Sequence, residues 1–341
     1  MDRFAVLPPR EKAAYIEMTA AHSNMSPELV EKDFWVCWTL KQIFSLDEIG
    51  THITFKGGTS LSKCFNAIQR FSEDIDIAIE RTYLEHERNI EPSLEESNKE
   101  NKRRIEELMS SARSAIEKKI LPGLRQKIES VLGHDGPWSL DLDPEDSLRQ
   151  TLLFEFPTAV AERVNEYIKP VVRIELGARA DHWPAQSAQV VPYVAGSLLN
   201  AWTVQPATVK VLSAERTFWE KVMILHRLYH SPGDKAVSRR MSRHYYDVYE
   251  MGRAGIFEHA IERGDIMQSV VDFNRLFFRY AWLNYDEARR GSFRLVPHHA
   301  ESIKSLKADY RQMQPMFFKE PPAFDLMIVA LQSMEDRINK V

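Results

Sequence analysis

The period of apolar and polar positions changes several times along the chain, and each change marks an element. Glu11 to Ala21 is rich in helix formers, and Ser26-Pro27-Glu28 supplies an N-cap followed by proline at the first helical position. The helix that starts there carries Leu29, Val30, Phe34, Trp35, Trp38, Leu40, Ile43 and Phe44. That is more apolar surface than one face holds, so most of this helix is expected to be covered. From about Thr51 the pattern shortens to a strand over 52–55, then glycines, a helical stretch over 60–68, and a second strand over 75–79. The local unit is strand, glycine turn, helix, strand.

Residues 85–130 are dominated by Glu, Lys, Arg and Asn, with Ile105, Leu108, Ala112, Ile116 and Ile120 at helical spacing, which predicts one or two exposed helices. The stretch 133–147, rich in glycine, proline and acidic residues, reads as a mobile loop. Strands return at about 152–156 and 171–176. From Ser213 onward the chain reads as mostly helical, with aromatic clusters at 277–282 and 315–318, and the Trp and Tyr residues of this half are expected to pack a helical core rather than to stack bases. The expected organisation is an N-terminal helical segment (1–50), a core of strands and helices (51–210) and a C-terminal helical domain (211–341), an α+β protein with a mixed sheet.

At 341 residues the chain exceeds what a single core usually serves. A 44% hydrophobic and 28% charged composition is that of an ordinary globular protein, and the net charge of −4 leaves no global basic footprint for nucleic acid. Cys37 and Cys64 lie in apolar stretches without CxxC spacing, which excludes a zinc ribbon or a disulfide framework and suggests buried thiols in a reducing compartment. No run of 18 apolar residues occurs, so a soluble, cytoplasmic protein with no membrane partner is expected.

Candidate chemistry sits in the strand, glycine turn, helix, strand unit. In Asp74-Ile75-Asp76-Ile77 strand alternation sends both carboxylates to one face and both isoleucines to the core. Two carboxylates held that close repel each other, and a cation relieves the repulsion. Gly57-Gly58-Thr59-Ser60, between strand and helix, lets backbone amides approach a phosphate, with Lys63 and Arg70 in reach of the same anion. Glu175, on the later strand Val172-Arg173-Ile174-Glu175-Leu176, is a third candidate metal ligand. An Asp-x-Asp holding a divalent cation, Mg²⁺ or alternatively Mn²⁺, suits transfer from a nucleoside triphosphate. A glycosyltransferase that holds a nucleotide sugar by Asp-x-Asp is a rival reading, and a silent nucleotide- or protein-binding module is another.

The segment Phe55-Lys56-Gly57-Gly58-Thr59-Ser60-Leu61-Ser62-Lys63, followed by Arg70-Phe71-Ser72-Glu73-Asp74-Ile75-Asp76-Ile77, resembles motif I of the AbiEii/AbiGii toxin family of nucleotidyltransferases. Glu215-Arg216-Thr217-Phe218-Trp219-Glu220-Lys221 resembles a family element with a functional lysine, and Arg243-His244-Tyr245-Tyr246-Asp247 a later element with a functional aspartate. The resemblance implies a DNA polymerase β-like nucleotidyltransferase core and a toxin of a toxin–antitoxin or abortive-infection system. It also implies a cognate antitoxin as partner and RNA, particularly a tRNA 3′ end, as acceptor. By the same matching Lys221 contacts the nucleotide phosphates and Asp247 supports the active site.

Each candidate also has a plain structural reading. Glu175 pairs with Arg173 or Arg179; Lys221 is a solvated helix position beside Glu220 or Glu215; Asp247 is an ordinary carboxylate near a helix N-terminus. His226, His230 and His244 lack metal-ligand spacing and are expected to be structural or surface residues.

Overall fold

The structure, a computed structural model, describes residues 1–84, 91–160, 169–198, 201–232 and 237–340. The chain forms two compact units, one from Met1–Cys64, Ser72–Glu91 and Lys102–Leu212, the other from Phe65–Phe71, Pro92–Asn101 and Ser213–Val341.

The first unit is organised by a seven-stranded mixed sheet of β1 (Ile53–Lys56), β2 (Ile75–Ile79), β3 (Ser139–Leu142), β4 (Thr151–Glu155), β5 (Val171–Gly177), β6 (Ala185–Val190) and β7 (Ala207–Leu212) in the order β3-β4-β5-β2-β1-β7-β6. The α+β class expected from the pattern holds. β1 and β2 are antiparallel neighbours at the centre, flanked by β7 parallel to β1 and β5 parallel to β2. Three strands depart from the sequence reading. β3 lies inside the stretch expected to be a loop, and β6 and β7 were not anticipated as strands. β6 is an edge strand with only Val190 buried, so it has no apolar face to betray it.

Helices of the chain up to β7 are α1 (Asp2–Ala5), α2 (Pro9–Ser23), α3 (Pro27–Phe44), α4 (Gly57–Lys63), α5 (Arg81–Leu84), α6 (Asn98–Ala115), α7 (Leu121–Leu132) and α8 (Ala195–Leu198). Of the stretch 85–130, residues 85–90 lie outside the described residues; α6 and α7 account for the predicted helices, and Leu108, Ala112, Ile116 and Ile120 are buried as their spacing requires. α3 begins as expected, the Ser26 hydroxyl accepting from the Leu29 amide at 3.3 Å with Pro27 in the first turn. Its Trp35 ring lies 5.9 Å from Phe154 and 5.5 Å from Phe156, so the helix covers the β4 side of the sheet. Deleting a buried ring of this size costs about 3–5 kcal/mol.

The second unit is helical: α9 (Ala214–His230), α10 (Ser242–Arg253), α11 (Ile256–Glu262), α12 (Gly264–Phe277), α13 (Ala300–Gln312) and α14 (Phe324–Lys340). Ser213 caps α9 by accepting from the Arg216 amide at 3.2 Å. Trp219, Tyr245 and Tyr246 are buried in its core, as expected of the aromatics of this half, while Trp282 is 39% exposed. The short segment 65–71 is fastened within this unit by backbone hydrogen bonds, Phe71 amide to Met316 carbonyl at 2.7 Å and Phe318 amide to Gln69 carbonyl at 3.1 Å. Among the described residues no helix is long and apolar enough to cross a membrane.

Candidate active site

β1 runs directly into α4 with no intervening loop, because Gly57 turns the chain at a φ of +76°, a conformation that L side chains rarely adopt. The same glycine makes room for a carboxylate. A Cβ at position 57 would lie 1.9 Å from the Asp76 Oδ2, so the Asp76 side chain rests on the bare Cα of Gly57. Sheet register explains why they meet: Lys56 is directly opposite Asp76 on β2, and Asp76 is in turn opposite Glu175 on β5. Residues opposite one another in a ladder share a face, so Lys56, Asp76 and Glu175 form a charged row across three strands while Ile75 and Ile77 are buried behind them.

Asp74 enters β2 under restraint. Its carbonyl accepts the Thr59 hydroxyl at 2.6 Å, and the Ser60 hydroxyl donates to the Gly57 carbonyl at 2.9 Å. Both hydroxyls are therefore committed to holding the turn. What Gly57, Gly58 and Thr59 offer a ligand is their amides, which in the first turn of a helix have no intrahelical acceptor; the Ser60 amide, four residues after the N-cap Lys56, differs from the expectation in that it is used within the helix. Lys63 differs from the expectation of a phosphate contact. Its ammonium donates to Asp33 of α3 at 2.8 Å and lies 3.8 Å from the centre of the Tyr193 ring, with only 6% of the side chain exposed. Burial lowers the pKa of this ammonium and the Asp33 carboxylate more than offsets that, so Lys63 is a structural cation.

Glu175 stands on the expected strand and face, and Arg173 Nε donates to its Oε1 at 3.0 Å while the same guanidinium also pairs with Asp143. As they stand, no three His, Cys, Asp or Glu side chains among the described residues are gathered to hold a metal ion. The donor chemistry nonetheless suits a hard divalent cation: the Asp76 carboxylate sits in a cradle that a single Cβ would close, and strand alternation carried back one residue from β2 assigns Asp74 to the same face.

In the helical unit, Lys221 and Asp247 meet each other. Asp247, in the second turn of α10 and fully buried, accepts from Lys221 of α9 at 2.8 Å. Lys221 is thus buried against Asp247, not a solvated position beside Glu220 or Glu215. Arg70 completes the group: its Nε and Nη2 grip the two Asp247 oxygens at 2.7 and 2.8 Å. Burial alone would raise the Asp247 pKa, but the two cations hold it well below the usual carboxylate range. Burial, with Arg70 and Arg243 adding positive potential, lowers the Lys221 ammonium below its ordinary value against the pull of Asp247. His244, beside this group, is held well below its ordinary pKa by burial and by the same cations, so it is neutral. Arg70, placed by sequence reasoning near a phosphate, is thus a buried clamp on Asp247; its isolated position between Gln69 and Phe71 gives no sequence signal of that role.

Comparison with known proteins decides the family. A model of the nucleotidyl transferase AbiEii toxin family, type IV toxin–antitoxin system, matches residues 38–330. The chain belongs to the AbiEii nucleotidyltransferase toxin family. No curated protein matches it. Among solved structures it is similar to MenT4, a nucleotidyltransferase toxin from Mycobacterium tuberculosis H37Rv, at 15% identity and a TM-score of 0.48 over 96% of this chain and 90% of that one. The family match spans Gly57, Asp74, Asp76, Glu175, Lys221 and Asp247, and it makes this AbiEii-family chain a nucleotidyltransferase. The Asp-x-Asp glycosyltransferase reading falls with it.

Proposed function

We propose that this chain transfers a nucleotidyl group from a nucleoside triphosphate to an acceptor hydroxyl in a reaction that depends on a divalent cation, Mg²⁺ or Mn²⁺. The observation that carries this is the Asp76 carboxylate resting on Gly57, at the junction of a central strand and a helix and in register with Glu175. Asp74 and Asp76 are the residues to hold the cation, with Glu175 available once it leaves Arg173. When bound, the cation lowers the pKa of the attacking hydroxyl and neutralises the triphosphate.

The chain's own residues supply the rest. In the reaction the acceptor oxygen bonds to the α-phosphorus, the bond from that phosphorus to the pyrophosphate oxygen breaks, and one of the aspartates takes the hydroxyl proton. The amides of Gly57, Gly58 and Thr59 meet phosphate oxygens, and Ser60 holds the turn behind them. Lys221 contacts the nucleotide phosphates, an anion that would relieve the depressed pKa of its ammonium, and Asp247 holds that ammonium in place. The acceptor is RNA, in particular a tRNA 3′ end, and a cognate antitoxin is the protein partner; both rest on the family and not on the site's geometry.

The test is incubation of the purified chain with Mg²⁺, each α-labelled triphosphate and a tRNA pool, followed by mass spectrometry of the acceptor. Label should enter the RNA, and Asp76→Ala should abolish it. Equal labelling by both proteins would remove these aspartates from the mechanism, and labelling of protein instead would replace the acceptor.

A further inference from the structure

α3 poses a question that fold stability does not answer. It is buried along most of its length, yet Glu28, Glu31, Lys32 and Asp33 sit in its first two turns with 1 to 4% exposure. Apolar residues of similar volume would pack there at least as well, since a buried ion pair is often no more stabilising than its hydrophobic replacement.

Glu31 accepts from the Thr158 hydroxyl at 2.6 Å and the Ala159 amide at 2.5 Å, fixing the chain just beyond β4. The next two residues reach both halves of the candidate motif. Lys32 donates to Glu73 at 2.5 Å, with side chains only 6% and 12% exposed, and Glu73 immediately precedes Asp74. Asp33 accepts from Lys63, the last residue of α4, at 2.8 Å and from the Tyr193 amide at 2.7 Å. Asp74 itself is tied to α4 through the Thr59 hydroxyl. One helix thus holds the C-terminal end of α4 by Asp33 and the approach to β2 by Lys32, and the two held pieces are joined to each other by the bond from Thr59 to the Asp74 carbonyl.

We infer that Lys32 of α3 is a positioning residue for Asp74, with Asp33 holding α4 beside it, so that Asp74 is fixed relative to Asp76 without either residue touching substrate. The inference rests on the proposed cation-dependent transfer. Neighbours that orient metal ligands typically change metal affinity by 10–100-fold when removed, and a misplacement of about 1 Å at a reacting group costs about 10²-fold in rate. Loss of Lys32 removes the bond by which α3 holds Glu73, so the chain at Glu73 and Asp74 shifts while Asp76, resting on Gly57, stays.

The full-length chain and its Lys32→Met, Lys32→Arg and Glu73→Gln variants are to be compared for thermal unfolding, for Mn²⁺ binding by calorimetry with Asp76→Asn as the control, and for transfer kinetics. Lys32→Met and Glu73→Gln should bind Mn²⁺ at least about tenfold more weakly than wild type and lose about 10²-fold in kcat, with the KM for the triphosphate changed by less than about threefold; Lys32→Arg should recover most of both. Folded Lys32→Met with wild-type Mn²⁺ affinity and kcat overturns the inference and leaves the proposed function standing. If Lys32→Met does not fold, the same outcome in Glu73→Gln overturns it. A wild type that binds Mn²⁺ but transfers no nucleotide sinks the proposed function alone, and the inference is then decided on Mn²⁺ affinity. A wild type whose Mn²⁺ binding equals that of Asp76→Asn sinks both.

Discussion

Substituting Gly57 by alanine tests the heart of the site with a single methyl group. Two costs are distinct. The residue's φ of +76° is left-handed, which an L side chain adopts at about 1–2 kcal/mol. The added Cβ would lie 1.9 Å from the Asp76 Oδ2 and 2.6 Å from its Cγ, where ordinary contact begins at 3.4 Å, so the carboxylate must retreat by about 1.5 Å. A displacement of that size at a reacting group is enough for about 10²-fold in rate. Gly57→Ala should therefore melt a few degrees lower and lose about two orders of magnitude in nucleotide transfer. The double variant Gly57→Ala/Asp76→Ala removes the clash but keeps the backbone cost, so the two substitutions should be non-additive in stability, the pair being more stable than the separate losses predict. Near-wild-type transfer by Gly57→Ala, or strictly additive losses, would refute the packing of Asp76 on Gly57.

Asp247→Asn, which leaves Arg70 and Lys221 buried against a neutral amide, should cost about 3–5 kcal/mol in urea unfolding; a midpoint unchanged from wild type would show that the carboxylate is not ionised there. His226, fully buried, accepts the Arg294 amide at its Nδ1 and is pushed down to about 3 by burial, with His230 and Arg294 adding to the shift. The unfolded chain takes up its proton below about pH 6.5 and the folded chain does not, so this contribution to stability is fully present above that pH and is lost as pH falls toward 3, at up to about 1.4 kcal/mol per pH unit. His226→Gln should flatten the decline in urea stability between pH 6.5 and 4, and equal slopes in the two proteins would contradict the assignment.

Much of this was visible in the sequence, and the omissions have physical causes. α3 was legible because a cap, a proline and a dense apolar run agree, and β1 and β2 because glycines and an alternating Asp-Ile-Asp-Ile frame them. β3 was hidden by the glycines and prolines around it, and β6 by an Ala-Gln-Ser composition suited to an edge strand with one exposed side. Both lysines singled out in the sequence end on buried carboxylates. Lys63 follows the glycine turn in sequence, but α4 turns it onto Asp33 and the Tyr193 ring, and Lys221, with no local signal beyond its family likeness, meets Asp247. Arg70 was legible as a cation and illegible as a clamp, since its partner lies far along the chain.

The sheet order also constrains how this polypeptide comes to life. β1 and β2 emerge early in synthesis, but their neighbours β7 and β5 are made much later. Until those strands arrive, the two inner strands have unpaired edges, and the row from Asp76 to Glu175 does not exist. Pairings so distant in sequence form slowly. About half of the chain must therefore be made before Glu175 can take its place beside Asp76, and a nascent fragment that ends before β5 lacks the carboxylate row altogether.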